Sequence, residues 1–245
     1  MKSIKDIINL INESKKIVVF TGAGISVPSG IPDFRSANGL YSQESGLKFT
    51  PEQIISHSFF MKYTKEFYEF YKEKMIYPDA TPNIAHKYFD QLEKTGKNIT
   101  IVTQNIDGLH SIAGSKNVLE LHGTIHKNYC MKCKKQYSLN DLLHATTPPA
   151  CSCGGIIKPN VVLYEEELDY DVLYNSIKVI SQADLLIVIG TSLIVQPAAS
   201  LIRYFNGKNV ILINKEKTPY DNYAKYTIND DIINVINKIK SYSIE

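Results

Sequence analysis

Four short, almost wholly aliphatic runs, residues 17–20, 99–103, 184–189 and 210–213, constrain this chain more than any other feature. None alternates apolar with polar residues, as a strand with one wet face would, so each expects cover on both sides. Residues 118–121 form a fifth, weaker run. Helical patterns at 83–94 and 196–204 fall between them, and 231–241 closes the chain with another. At the start, MKSIKDIINLINESKK reads as an amphipathic helix with Ser3 as its cap, Asp6 three residues on, and Ile4, Ile7, Ile8 and Ile11 on one face. Strands alternating with helices imply a parallel sheet covered on both sides, an α/β fold.

Two segments break the rhythm. Residues 36–79 are rich in aromatics, with helical spacing in TKEFYEFYKEKM; residues 127–159 hold all four cysteines and a Thr-Thr-Pro-Pro break. Both read as insertions that pack together as a smaller lobe, leaving 1–35, 80–126 and 160–245 for the large domain. A length of 245 residues suits one large domain carrying such an insert. The formal charge of +2 gives no field that would make nucleic acid or an anionic membrane an obligatory partner. The sequence has no run of the roughly 18 apolar residues a membrane span needs, and the first helix lacks the centre and cleavage site of a signal peptide. A cytoplasmic protein is expected.

In a reducing compartment, Cys130 and Cys133, then Cys151 and Cys153 after 17 intervening residues, favour a tetrahedral zinc site over disulfides. Four thiolates leave the metal no open position, so its role is structural. His126 or His144 could replace one sulfur.

The first aliphatic run ends in Thr21-Gly22-Ala23-Gly24, as a strand does before turning under a bound phosphate. A G-x-G-x-x-G fingerprint would continue with glycine at position 27, where Val27 stands, and with an acid about 20 residues on that closes a second strand. Glu44 has that spacing but lies in a polar stretch. A second glycine-proline segment, Gly30-Ile31-Pro32-Asp33-Phe34-Arg35, follows at once. Thr103-Gln104-Asn105-Ile106-Asp107-Gly108 ends the second run and places amide and carboxylate groups at the carboxyl edge of the sheet; Asn105 and Asp107 are also ordinary turn formers. Leu121-His122-Gly123 follows the weaker run, Gly190-Thr191-Ser192-Leu193 the most apolar one, and Asn214 the last. The Gly190 turn can offer hydroxyls and N–H groups to a phosphate, and it can equally start a helix.

Together, and in this order, these segments resemble the sirtuin family of NAD-dependent protein deacylases, and the match spans nearly the whole chain. The resemblance implies a Rossmann-like large domain, a smaller lobe of zinc module plus helical module, and a cleft between them. It implies that NAD is consumed rather than used as a hydride carrier. The acyl-lysine carbonyl oxygen attacks C1′ of the nicotinamide ribose, nicotinamide leaves, and the acyl group passes to ADP-ribose. The cofactor site would comprise Gly22, Ala23, Gly24, Ser26, Val27, Gln104, Ile106, Gly190, Thr191, Ser192, Asn214, Lys215 and Asp231, with residues 31–35 as a flap carrying Asp33, Phe34 and Arg35. Asn105 and Asp107 would position the ribose and the nicotinamide amide, His122 would be general base to the ribose hydroxyls, and Phe34 would keep water from the oxocarbenium-like centre.

In this family the substrate strand reads like PxVVFFGE. Here it is Pro159-Asn160-Val161-Val162-Leu163-Tyr164-Glu165-Glu166, with glutamate in glycine's place. Val162 and Tyr164 would line the acyl tunnel and pair edge-on with the peptide of an acylated protein. Sirtuins that prefer succinyl or malonyl groups carry a tyrosine and, three residues on, an arginine. Tyr68 holds the first place here and Tyr71 the second, so an acetyl or apolar acyl group is expected. Two other activities share the features: mono-ADP-ribosyl transfer, which has the same first step, and a non-catalytic NAD sensor.

Overall fold

The computed structural model describes residues 2–37, 39–42 and 48–242, so Glu44 lies outside the described residues. In chain order the strands are β1 (Lys16–Thr21), β2 (Asn98–Thr103), β3 (Val118–Glu120), β4 (Gly123–Cys130), β5 (Gln136–Ser138), β6 (Ile157–Val161), β7 (Leu185–Ile189), β8 (Val210–Ile213) and β9 (Tyr226–Ile228). The α-helices are α1 (Lys2–Glu13), α2 (Pro51–Ile54), α3 (His57–Lys62), α4 (Thr64–Lys74), α5 (Ile84–Lys94), α6 (Leu109–Ala113), α7 (Leu139–His144), α8 (Tyr170–Ser181) and α9 (Ile232–Tyr242).

The aliphatic runs form one six-stranded sheet, ordered β3-β2-β1-β7-β8-β9, with every pairing parallel. Alternate residues of the central strands enter two different cores, which explains the lack of polar alternation in the sequence. Val19, Ile101, Ile187 and Ile211 pack under α1, α5 and α9. Val18, Phe20, Val102, Leu186, Val188 and Leu212 pack on the opposite face, under α8 and the segment Ala198–Tyr204. From β1 the chain builds outward through β2 and β3, then crosses to β7 on β1's other side. Strand order therefore reverses between β1 and β7, and the crevice beyond their carboxyl ends is where such sheets bind ligands.

Two expectations need correction. Helix α1 begins at Lys2, so Ser3 falls inside its span and not ahead of it, while Ile4, Ile7, Ile8 and Ile11 are buried on one face as expected. Residues 198–204 form a 3₁₀ helix instead of an α-helix. Its buried positions Ala198, Ala199, Leu201 and Ile202 repeat every three residues, the period of the tighter helix.

The smaller lobe contains an antiparallel sheet, β5-β4-β6, which starts at Gly123, directly after His122. Its core joins residues from 40 to 76 with residues from 125 to 163. Phe60, Phe67, Tyr68 and Tyr71 are fully buried there, the rings of Phe67 and Tyr71 stacked at 5.5 Å.

Candidate functional site

At the reversal point, the turns after β1 and β7 interlock backbone to backbone. Gly22 N–H donates to Ile189 O at 3.2 Å and Gly24 N–H to Gly190 O at 2.8 Å. A Cβ on Gly24 would stand 2.9 Å from Gly190 Cα, and one on Gly190, which has φ +65°, would stand 2.4 Å from Ile25 N. Each is closer than packed atoms allow, so these glycines are required by the protein's own turns whatever ligand they also face. Gln104 Nε2 donates to Thr191 Oγ1 at 3.0 Å, and Thr191 Oγ1 also accepts from Leu193 N–H. The second turn is thereby tied to the Gln104 loop, while Ser192 sits half-buried beside it.

Ser26 is the hub of the polar cluster next to this crevice. It is almost fully buried, donates its hydroxyl to Asp107 Oδ2 at 2.7 Å and accepts from Asn105 Nδ2 at 3.1 Å. Leu109 N–H holds the other Asp107 oxygen at 2.8 Å. Burial raises the pKa of Asp107, and the hydrogen bonds from Leu109 and Ser26 oppose it. The Asn105 backbone is fixed in turn, its N–H donating to Thr103 Oγ1, which also accepts from Thr21 Oγ1. From the smaller lobe, His126 Nε2 donates to Asp107 O at 2.9 Å, and a Cβ on Gly108 would lie 2.6 Å from that nitrogen. Ile125 N–H likewise caps Ile106 O at 3.0 Å. The loop from 104 to 108 is thus held from both lobes.

His122 sits in the two-residue turn between β3 and β4, beside that loop. Its Nδ1 lies 2.9 Å from Gln104 O, and because a carbonyl can only accept, Nδ1 carries the proton and Nε2 keeps its lone pair. Burial lowers the His122 pKa while the bond to Gln104 works the other way; the net shift is downward. The ring is therefore neutral at pH 7, in the tautomer a general base needs.

The four cysteine Sγ atoms all lie within 4.8 Å of one another, with Cys130 to Cys153 at 3.5 Å and Cys133 to Cys151 at 3.6 Å. Zn–S bonds of about 2.3 Å in a tetrahedron give sulfur separations of about 3.8 Å, so one zinc ion fits this set. The narrow C-x-C pair reaches round because Cys151 N–H bonds Gly155 O and Gly154 takes φ +78°. Neither alternative ligand takes part: His126 is bonded to Asp107, and His144 Nδ1 to Asn140 O.

The flap and the strand after β6 face each other. Asp33 Oδ1 accepts from Arg35 and Ser36 N–H, shaping a turn from which Phe34 packs toward the smaller lobe's core. Val162 N–H is bonded to His122 O. Glu165 has φ +75°, the left-handed conformation that explains glycine in the family's pattern. Its cost, roughly 1 kcal/mol, is offset by two bonds from Ser58, whose N–H and hydroxyl lie 2.8 and 2.9 Å from the carboxylate. Beneath the strand, buried Lys158 pairs with Glu166 at 3.0 Å, and His57 Nδ1 donates to the other Glu166 oxygen at 2.8 Å. Burial alone would raise the Glu166 pKa, but hydrogen bonds from Leu163, His57 and Lys158 outweigh it and hold it down.

Other expected cofactor residues lie further out. Val27 and Lys215 are exposed, Asn214 Nδ2 bonds Glu216 O in its own loop, and Asp231 Oδ1 caps α9 through Ile233 N–H. Tyr68 donates its hydroxyl to Ile157 O, whereas the buried Tyr71 hydroxyl has no partner among the described residues. Burial raises both phenol pKa values, so both stay neutral. Lys72 is directed to Ala145 O and Thr147 Oγ1. Sequence reasoning passed over the roles of His126, Ser58, Lys158 and Tyr41; none stands in a motif, and only the folded chain brings them to the site.

The profile of the Sir2 family matches residues 22–197. An NAD-dependent protein deacetylase of Clostridium acetobutylicum is 54% identical over 98% of both chains, and one of Clostridium perfringens 55% identical over 94% of this chain and 95% of the other. Among solved structures, Sir2 with a p53 peptide and NAD+ superposes with TM-score 0.86 at 40% identity, covering 99% of both chains. Sir2 with deacetylated p53 peptide and 3'-O-acetyl ADP ribose gives 0.89 at 39% identity, covering 98% of both. With its glycine turns interlocked at the strand-order reversal, His122 beside the Asn105–Ser26–Asp107 cluster, and likeness along almost its whole length, this chain belongs to the Sir2 family.

Proposed function

We propose that the chain is an NAD-dependent protein-lysine deacetylase that transfers the acetyl group of acetyl-lysine to ADP-ribose and releases nicotinamide. The observation that carries this is the His122 tautomer: Nδ1–H is spent on Gln104 O, so Nε2 is free to take a proton beside the Asn105–Ser26–Asp107 cluster. Bound NAD supplies the electrophilic C1′ and the hydroxyls that receive the acyl group. Asn105, its amide fixed through Ser26, orients the ribose, and Asp107 accepts from the nicotinamide amide. His122 removes the ribose hydroxyl proton at Nε2. Gly22, Ala23, Gly24, Gly190, Thr191 and Ser192 face the pyrophosphate, with Asn214, Lys215 and Asp231 toward the adenosine end. Phe34 excludes water. Both backbone groups of Tyr164 are bound within the protein, to Ile55 O and His57 N, so this residue meets the peptide through its side chain, beside Val162. The cofactor domain takes 1–35, 80–122 and 162–245 and the helical module 36–79; the zinc module takes in the whole β5-β4-β6 sheet, 123–161, a few residues beyond the expected 127–159 at each end, and one ion is held in it by Cys130, Cys133, Cys151 and Cys153. No described helix is long and apolar enough to cross a membrane, and we place the protein in the cytoplasm, where thiolates stay reduced for zinc.

The test is to incubate the purified protein with NAD and an acetyl-lysine peptide and follow products by mass spectrometry. Deacetylated peptide, nicotinamide and O-acetyl-ADP-ribose are expected in equal amounts. ADP-ribosylated protein without the acetylated product would favour mono-ADP-ribosyl transfer, and no nicotinamide release with any acyl peptide would leave a sensor.

Acyl preference follows from α4. Tyr68 and Tyr71 offer no positive charge, and the Lys72 ammonium is engaged elsewhere, so a succinyl carboxylate would lose water without a charged partner. Acetyl-lysine is expected to exceed succinyl-lysine in kcat/KM by about tenfold or more on the same peptide. Competition kinetics that favour succinyl would show that another cation reaches the acyl site.

A further inference from the structure

Tyr164 stands where the family's pattern has phenylalanine, and its additional hydroxyl meets two groups of the flap. It lies 2.8 Å from the Tyr41 hydroxyl and accepts from Arg35 Nη2 at 3.4 Å. The Arg35 guanidinium also lies over the Tyr41 ring, 5.2 Å from its centroid, and Phe34 meets that ring edge-on at 5.5 Å. These contacts join the substrate strand to the flap. On one side Tyr164 is fixed by its main chain, N–H to Ile55 O at 3.1 Å and C=O from His57 N at 2.9 Å, with Glu165 fastened to Ser58 next to it. On the other, the flap is a self-contained turn, with Leu40 N–H to Asp33 O at 2.7 Å and Tyr41 N–H to Phe34 O at 2.9 Å.

We infer that Tyr164 is a positioning residue for NAD: its hydroxyl, through Tyr41 and Arg35, holds the flap against the substrate strand so that Asp33, Phe34 and Arg35 are in place before the dinucleotide arrives. The inference rests on the deacetylase reading given above. Ordering the flap in advance removes an entropy cost from NAD binding, and the groups that do the chemistry, on the 104–108 loop and at His122, are held by other contacts. Loss of the hydroxyl therefore appears in KM for NAD more than in kcat. A phenylalanine keeps the ring and removes only the hydroxyl, with its contacts to Tyr41 and Arg35.

Tyr164→Phe, Tyr41→Phe and the double variant test this. Each single variant is expected to raise KM for NAD about three- to tenfold, by more than kcat falls, as loss of one hydrogen bond does. The double variant is expected to match Tyr164→Phe, because that single variant already removes the bond shared with Tyr41. Amide exchange without NAD is expected to speed up across residues 31–37 and 39–42 in all three. Unchanged KM for NAD with unchanged exchange in an active Tyr164→Phe protein overturns the inference. So does a rise confined to KM for peptide, which would make Tyr164 a substrate contact alone, or a double effect equal to the sum of the singles. If the wild-type protein shows no NAD-dependent deacetylation, the functional reading fails, and the exchange data alone decide whether the latch exists.

Discussion

His122→Ala is expected to lower kcat for deacetylation by roughly two to four orders of magnitude while leaving the fold and NAD binding in place. The ring contributes one hydrogen bond to the scaffold, to Gln104 O, and Gln104 keeps its own ties to Thr21 O and Thr191. Loss therefore falls on proton transfer rather than on the turn. The wild-type pH profile carries the same signature. Because burial sets the His122 pKa below the ordinary value, the base is neutral at pH 7, and kcat is expected to stay level near neutrality and fall only as pH drops through that lowered pKa. Steady-state rates of the purified variant, with NAD binding measured by calorimetry, decide the matter. Near-normal turnover would remove His122 from the mechanism.

Cys130→Ser or Cys151→Ser is expected to cost bound zinc and several degrees or more of thermal stability, with activity falling as the cleft wall loosens. Both sulfurs are buried in the core that also holds Phe60, Phe67 and Tyr71. Metal loss therefore leaves the end of β4 without its crosslink to the cysteine turn ahead of β6, and loosens the two strands that bring His126 to Asp107 and Val162 to His122. Elemental analysis, melting curves and assay of the same preparations test this. A fully active protein that never contains zinc would contradict a structural metal.

The parallel sheet was legible because doubly covered strands leave a simple trace, unbroken aliphatic runs in which neighbouring residues serve opposite cores. The glycine turns, Asn105, Asp107 and His122 were legible because they follow such runs directly. Strand β9 was not, since three residues at a sheet edge, Tyr226 to Ile228, carry too little pattern. The small sheet was hidden for another reason. Strand β4 contains Lys127 and Asn128, its near partner β5 is only three residues long, and its other partner β6 begins only at Ile157, so pairing and metal geometry rather than hydrophobic period define it. Contacts such as Ser58 with Glu165 leave no sequence signal at all. Glutamate in glycine's place carries no sign in the sequence of what the fold shows, that its carboxylate fastens the substrate strand to Ser58.

The smaller lobe's core, drawn from two insertions with β2 and β3 between them, has a consequence for biosynthesis. Phe60, Phe67, Tyr68 and Tyr71 leave the ribosome well before residues 125–163, the other half of the core they fill. At 5–20 residues per second the aromatic helices wait on the order of 5 to 20 seconds for that half, with their apolar faces uncovered. During this interval the uncovered aromatic faces are open to non-native contacts, the exposure that chaperones exist to cover.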